Sequence, residues 1–199
     1  RISAIARELG KFADVTIFSG GRPIDFPLCE SVRFVQLPAM RWNPEVGASL
    51  IPIDPNLSAE ECLRERSRIL AESYRNSPPD VVITEFFPFT PGFYGTTLNE
   101  LMSEINRSNP RPLLLCSIRA FPRVTYLDSD VSPDWIRQRL LEDYDGVLHH
   151  VDPEIFPLPS LGLYVTAALR GIPVYQTGFV RKPFVAPAEK SPAGILMTV

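Results

Sequence analysis

The apolar residues of this chain fall into short continuous runs separated by segments of helical periodicity. The runs are rich in β-branched residues and end at small or polar residues: ADVTIFSGG, SVRFVQLP, DVVITEFFPF, RPLLLCSIRAF, DGVLHHVDP and IPVYQTGFV. Strands buried on both faces, as in parallel sheets, read as continuous apolar runs of this kind. The alternation predicts an α/β fold: a Rossmann-like three-layer parallel sheet with helices on both faces.

Several helix starts carry recognisable signals. Ser58 precedes an amphipathic segment and is followed three positions later by Glu61, which predicts a capping box. Ser132 precedes Pro133, the residue pair that favours a helix start. The first segment, RISAIARELG, predicts a helix with Ile2, Ile5 and Leu9 on its apolar face. Shorter helical segments follow the later strands, including SLGLYVTAALRG.

One long segment, AMRWNPEVGASLIPIDPN, is predicted to be a proline-containing loop. Loops of this length are uncommon in compact domains and are often functional. Trp42, Leu50 and Ile51 would either touch a membrane surface or pack against the domain. The loop has little positive charge, which favours plain packing.

Composition narrows the function classes. The chain has 199 residues, the size of one domain or one domain with part of another. A net charge of −3 gives no basic footprint for nucleic acid, and no apolar run approaches the ~20 residues that cross a bilayer. Cys29, Cys62 and Cys116 are odd in number and widely spaced, as expected for reduced thiols of a cytoplasmic protein.

Both ends of the sequence look interrupted. The first residue is Arg1 within a helical pattern, and AGILMTV at the other end is an apolar strand. We expect the chain to be a fragment, or the ordered part of a longer protein.

Small and polar residues follow the predicted strands. The carboxyl ends of parallel strands share one edge of a sheet, where doubly wound folds bind ligands. This edge would therefore form a single cleft. Its candidate residues are Gly20-Gly21, Thr84-Glu85, Ser117-Ile118-Arg119, His149-His150-Val151-Asp152 and Thr177-Gly178.

Each candidate residue has a purely structural interpretation and a functional one. Gly20 and Gly21 either let a backbone approach a ligand or make a turn. Glu85 is either an acid/base group or a hydrogen-bond partner of a nearby loop. Arg119 either holds a phosphate or carboxylate through its planar fork or pairs with Glu85 or Asp152.

The aromatic and histidine clusters are equally open. The run FFPF, with Phe93 and Tyr94, would either form a platform for a sugar ring or belong to the core. His149 and His150 are adjacent on a predicted strand, so their side chains point to opposite faces. The pair is therefore unsuited to chelating one ion, and we predict no metal site. One imidazole is expected to face the cleft.

The ordered set RISAIARELGKFADVTIFSGGRP, VRFVQLPAM, DVVITEFFPF, PLLLCSIRAF, YDGVLHHVDPEIFPL and PVYQTGFVRKP resembles the N-terminal half of predicted GT-B glycosyltransferases, the MurG-like and family 28-like enzymes. The resemblance spans nearly the whole chain. It implies an acceptor-side domain over residues 1–180. It also implies that 181–199 hold the linker and the first strand of a C-terminal domain, which would bind the nucleotide-sugar donor.

The resemblance also implies the roles of site residues. It implies no cofactor, and it places the catalytic base either before Arg1 or in the second domain, so that no catalytic residue is assigned here. After FPF the family is often basic, whereas this chain reads TPGFYG, which weakens a charged-acceptor contact there. The residues matched to the acceptor cleft are Gly20, Gly21, Glu85, Arg119, His149 and Asp152.

Two other functions remain open at this stage. A nucleotide-sugar 2-epimerase of the same architecture would need an acid/base carboxylate in the cleft, for which Glu85 is the candidate. A non-catalytic binding subunit of a split glycosyltransferase would recruit a separate donor-binding chain. The reading frame beyond Val199 separates the split form from a two-domain enzyme.

Overall fold

The computed structural model describes residues 2–24, 30–43, 49–119, 132–158 and 162–180. Within these ranges helices and strands alternate for most of the length. The helices are α1 (Ile2–Leu9), α2 (Ala59–Asn76), α3 (Pro91–Arg107), α4 (Pro133–Asp143) and α5 (Gly162–Ala168). The strands are β1 (Val15–Ser19), β2 (Val32–Gln36), β3 (Met40–Asn43), β4 (Ser49–Pro52), β5 (Val81–Glu85), β6 (Leu113–Arg119), β7 (Gly146–His150) and β8 (Val174–Gln176).

A parallel sheet in the order β5-β6-β7-β8 forms the centre of the molecule. Each strand pairs in parallel with its neighbour, and the register places Glu85 beside Ser117 and Arg119 beside His150. Helices connect successive strands, as parallel pairing requires. The predicted α/β class, with a parallel sheet flanked by helices, is therefore confirmed.

Helices α2 to α5 contribute to one core against this sheet. The interior positions of β6, Leu114, Cys116 and Ile118, are completely buried, as are Ile136 and Leu140 of α4. Complete burial of a large aliphatic side chain stabilises the fold by about 1.5–3 kcal/mol. The alternate positions of β6 point the other way, so that the core occupies one face of the strand.

The opposite face is less covered. Val81, Ile83 and Leu113, which lie on that face of β5 and β6, are 46, 41 and 46 % exposed. These three side chains are therefore partly open to solvent in the described part of the protein. The two-sided helical covering predicted from the sequence is thus seen on one face of this part of the sheet.

Strands β1 and β2 form a separate parallel pair. Phe18 of β1 packs against the main core, which also includes Leu37 just after β2. The pair therefore rests on the same core as the four-stranded sheet, although no backbone ladder joins the two in the described residues.

The helix predicted at the start of the chain is present, but its predicted apolar face is only partly buried. Ile2 and Leu9 are 43 and 42 % exposed, whereas Ala4 and Ala6 are buried. Ala6 packs with β1 and β2, where a small side chain lets the helix lie close to the strands. Close approach through alanine takes the place of burial of the larger residues.

The loop predicted over AMRWNPEVGASLIPIDPN is also wrong in part, because β3 and β4 form an antiparallel hairpin within it. Met40 pairs with Pro52 and Asn43 with Ser49. Met40 is only 4 % exposed, and its amide donates to the Gly20 carbonyl at 2.9 Å. Leu50 is half-buried, and the side chain of Trp42 lies outside the described part.

The predicted helix starts are confirmed. The Glu61 amide donates to Ser58 Oγ at 3.1 Å and the Ser58 amide to Glu61 Oε2 at 2.8 Å, which completes the capping box. The Trp135 amide donates to Ser132 Oγ at 3.1 Å. The predicted boundary at 180 and the strand expected within 181–199 lie outside the described residues.

Candidate functional site at the carboxyl edge of the sheet

The carboxyl edge of the four-stranded sheet gathers polar side chains from all four strands. Glu85 ends β5, Arg119 ends β6, His150 ends β7, and Thr177 directly follows β8. The ladder continues past β8, because the Thr177 amide donates to the His149 carbonyl at 3.0 Å. The predicted convergence of strand ends at one edge is therefore present in the structure.

Glu85 and Arg119 form an ion pair across β5 and β6. Arg119 Nε lies 3.6 Å from Glu85 Oε1, and the side chain of Arg119 is 65 % exposed while that of Glu85 is 25 % exposed. Arg119 also lies over the ring of Phe86, with Cζ 5.3 Å from the ring centroid. Of the two interpretations of Arg119, pairing with Glu85 is observed. A guanidinium has five N–H donors, so this contact leaves donors for an anionic or hydroxyl-rich ligand.

Phe86 has an unusual backbone conformation. Its φ of 62° is in the left-handed region, where a bulky residue is an outlier. The backbone is held on both sides, since the Phe86 amide donates to the Ser117 carbonyl at 3.0 Å and the Thr90 amide to the Phe86 carbonyl at 3.1 Å. This turn brings the Phe86 ring beneath Arg119 instead of continuing β5.

The two histidines take opposite faces, as strand alternation predicts. His149 is paired in register with Ile118 and is completely buried in the core. Neither of its ring nitrogens has a hydrogen-bond partner among the described residues, and burial lowers its pKa. The structure thus places His149 away from the edge, and it is His150 that shares the face of Arg119.

His150 joins two hydroxyl groups. Its Nε2 lies 3.0 Å from Ser117 Oγ, and its Nδ1 lies 2.7 Å from Thr177 Oγ1. Ser117 and His150 are each 6 % exposed, whereas Thr177 is exposed. Sequence reasoning found these strand ends but assigned no role to Ser117 or Thr177. The available signal was that polar residues follow three adjacent strands.

The glycine loop after β1 has a structural explanation at Gly20. Arg66 of α2 is buried and donates to the Gly20 carbonyl and, at 2.7 Å, to the Pro38 carbonyl. A Cβ on Gly20 would lie 2.6 Å from the Arg66 guanidinium carbon, whereas a Cβ on Gly21 would meet nothing within 4 Å. Gln36 Nε2 also donates to the Gly21 carbonyl at 2.9 Å. The loop is held by side chains of this chain.

Asp152 is used in a local turn. Its Oδ1 accepts from the Glu154 amide at 2.9 Å, and its carbonyl accepts from the Phe156 amide at 2.8 Å. This arrangement is an Asx-type turn, and the side chain is partly exposed. No contact between Asp152 and Arg119 is seen among the described residues.

The aromatic run is divided between core and edge. Phe87 and Phe89 are 4 and 0 % exposed and belong to the core, while Phe86 is partly exposed beneath Arg119. The side chains of Phe93 and Tyr94 lie outside the described part. Among the described residues the edge therefore offers the Phe86 ring, the Glu85–Arg119 ion pair and a hydroxyl–imidazole–hydroxyl chain.

The thiols of the described residues are buried and not paired in disulfides. Cys62 and Cys116 are free and buried, and Cys29 lies outside the described residues. Burial raises the pKa of the Cys116 thiol. In the described ranges no group of three or more His, Cys, Asp or Glu side chains is suited to hold a metal ion.

Comparison with known proteins adds no assignment. No protein-family model matches the chain, and no curated protein or solved structure matches it significantly. Across the described residues, none of the helices is both long enough and apolar enough to span a bilayer.

Proposed function

We propose that this chain is the acceptor-side domain of a glycosyltransferase that moves a sugar from a nucleotide-sugar donor to a hydroxyl group of an acceptor. The observation that carries the proposal is the convergence of Glu85, Arg119, His150 and Thr177 at the carboxyl edge of a parallel sheet. Positively and negatively charged hydrogen-bonding groups beside an aromatic ring suit a polyhydroxylated ligand. The ordered sequence resemblance to MurG-like enzymes supports the same assignment.

The reaction we propose is an inverting displacement. The acceptor hydroxyl attacks the anomeric carbon and gives its proton to a base, while the bond to the nucleotide diphosphate breaks and the diphosphate leaves with the electron pair. In this scheme Arg119 and Glu85 orient the acceptor, while the donor is bound by a second domain that lies outside this chain. Fixing the acceptor hydroxyl in line with the anomeric carbon lowers the entropic part of the barrier.

In a three-layer GT-B domain, the β1–β2 pair and the four-stranded sheet would belong to one continuous parallel sheet. Strands β1 and β5 each have one edge without a ladder partner among the described residues, and Phe18 brings β1 to the core of the larger sheet. We propose that an additional strand lies between β1 and β5 in the native protein. It would also cover part of the apolar surface at Val81 and Ile83.

Amide hydrogen exchange on the native protein tests this arrangement. With an intervening strand, alternate amides of β5 that point away from β6 should be protected as strongly as those of β6. Exchange of these amides at the rate of an open edge would contradict the single-sheet arrangement.

Donor turnover tests the proposed activity directly. The native protein that contains this chain should be incubated with uridine-, guanosine- and thymidine-diphosphate sugars and a set of hydroxyl acceptors. Release of the nucleotide diphosphate is measured with and without acceptor. We expect Arg119→Gln to lower acceptor-dependent turnover about tenfold or more, because it removes a charged hydrogen-bond donor worth ~1.5–3 kcal/mol.

Arg75→Gln is the matched control. Arg75 forms a comparable ion pair, 2.9 Å from Glu104, but that pair joins α2 to α3. Equal effects of the two substitutions, or the absence of binding and turnover for every nucleotide sugar, would contradict the proposal.

Glu85 separates this activity from 2-epimerisation. A carboxylate that orients an acceptor is expected to affect turnover only when acceptor is present. If Glu85→Gln abolished a reaction of the nucleotide sugar alone, with no dependence on acceptor, the epimerase would replace the transferase as the function.

A further inference from the structure

Three hydrogen-bonded side chains, Ser117, His150 and Thr177, connect two buried polar groups to an exposed one. This chain of groups consists of hydroxyl, imidazole and hydroxyl, joined by contacts of 3.0 and 2.7 Å across β6, β7 and the end of β8. The sequence resemblance assigns no role to any of these three residues. A buried histidine with a hydroxyl on each nitrogen is restricted to one ring orientation.

The chain has an inner and an outer end. Ser117 and His150 are 6 % exposed, while Thr177 is exposed and lies at the edge where the acceptor is proposed to bind. A ligand at this edge would therefore meet Thr177 Oγ1 before it could reach the imidazole. The exposed hydroxyl and the buried base are in direct hydrogen-bond contact.

From this geometry we infer that Thr177 and His150 form a proton relay that accepts the proton of the attacking hydroxyl group. The inference rests on the proposed sugar transfer. As the acceptor oxygen bonds to the anomeric carbon, its proton passes to Thr177 Oγ1, and the proton of Thr177 passes to His150 Nδ1. The nucleotide diphosphate leaves with the electron pair, and the imidazolium afterwards returns its proton to solvent through Thr177.

The relay requires a defined tautomer. Nδ1 must accept from the Thr177 hydroxyl at 2.7 Å in preference to the Gly178 carbonyl, which lies 3.4 Å from Thr177 Oγ1. In the relay the ring hydrogen is therefore on Nε2 and is donated to Ser117 Oγ. Arg119, in register with His150, and Glu85, paired with Arg119, are charged groups on the same face. Tyr175 is a further titratable group on that face, on β8. Because the negative charge of Glu85 offsets the positive charge of Arg119, the ion pair adds no net positive charge beside the imidazolium when it forms.

Nitrogen-15 NMR of the ring nitrogens tests the tautomer without any activity. The chain contains two histidines, so a His149→Leu variant assigns the remaining signal to His150. We expect the hydrogen on Nε2 and a Nδ1 shift that moves in Thr177→Val but returns in Thr177→Ser. A ring hydrogen on Nδ1 would overturn the relay, because Thr177 would then be the acceptor.

Kinetics of the native protein test the proton transfer. Thr177→Val should lower kcat for acceptor glycosylation about 100-fold and leave KM nearly unchanged. A loss of this size is at the lower end of what general-base catalysis usually contributes. Thr177→Ser should restore most of the rate, and the acidic limb of the pH profile should be lost only in the valine variant. Thr16→Val, at an exposed threonine of β1, is the control.

The two proposals fail in different ways. Turnover that is unchanged in Thr177→Val overturns the relay and leaves the transferase standing. Absence of turnover with every donor overturns both, whatever tautomer the NMR spectrum reports.

Discussion

Gly20 and Gly21 provide a sharp test of the forces that hold the carboxyl edge. The two glycines are adjacent, but only Gly20 faces the guanidinium of Arg66, at 2.6 Å from a Cβ placed there. Neither has a positive φ, so alanine introduces no backbone strain at either position. Gly20→Ala and Gly21→Ala are therefore a matched pair that differs in one contact.

The expected difference follows from the Arg66 hydrogen bonds. The guanidinium donates to the carbonyls of Gly20 and Pro38, and hydrogen bonds to charged groups contribute about 1.5–3 kcal/mol each. Displacement by the new methyl group breaks or weakens both, while partial hydration of the displaced guanidinium offsets some of the loss. We expect Gly20→Ala to lower the free energy of unfolding by about 3 kcal/mol. Gly21→Ala should raise it by up to about 1 kcal/mol through the unfolded state.

Urea unfolding measures both values, with the m-value as a check that the unfolded states are alike. In an Arg66→Met background the Gly20→Ala cost should fall to within about 0.5 kcal/mol of zero, because the clash and the hydrogen bonds are already gone. Equal costs for the two alanine variants, or an undiminished Gly20→Ala cost in that background, would refute the reasoning.

Three further substitutions test polar side chains that support the four-stranded sheet. His149→Leu should stabilise the protein by about 1 kcal/mol at pH 7, because it removes unpaired buried nitrogens. Burial lowers the pKa of His149. As the pH falls below about 6.5, the unfolded state therefore binds a proton before the native state does, and native stability declines. The urea midpoint of the leucine variant should decline less over the same pH range. An identical dependence of the urea midpoint on pH in the two proteins would contradict this expectation. Tyr144→Phe should lower the free energy of unfolding by about 1 kcal/mol, because it removes the 2.9 Å hydrogen bond to Thr84. Tyr175→Phe, at a tyrosine that is 54 % exposed, should have almost no effect in the same urea unfolding experiment. Asp145→Ala should cost about 2–3 kcal/mol, since its Oδ2 accepts from the second amide of β6 at 2.7 Å; a loss below 0.5 kcal/mol in urea unfolding would mean that water replaces the carboxylate.

Much of the fold was predictable because local signals and burial agree. The apolar runs identified the strands of the parallel sheet, and the capping residues Ser58 and Ser132 marked two helix starts correctly. The convergence of polar residues at one edge followed from parallel pairing alone. These features depend on neighbouring residues and on a simple rule of topology.

The remaining features depend on contacts between distant residues. Alternation separates His149 from His150, but only the register of β7 with β6 decides which one reaches the edge. Arg66 looks like a surface residue of an amphipathic helix until the carbonyls of Gly20 and Pro38 are brought to it. The hairpin of β3 and β4 was hidden because each strand has only four residues. Tertiary pairing stabilises such short strands where local preference is weak.

Phe86 is an aromatic residue at a backbone position that favours glycine. A left-handed backbone conformation costs an aromatic residue on the order of 1–3 kcal/mol, which glycine would avoid. Glycine would also remove the ring that lies against Arg119. Because the ring also packs against the main core, lost burial offsets the relief of backbone strain in Phe86→Gly, and in the proposed transferase turnover would fall as well. In the proposed transferase, the protein thus accepts backbone strain at this position to keep one ring in contact with both the core and Arg119.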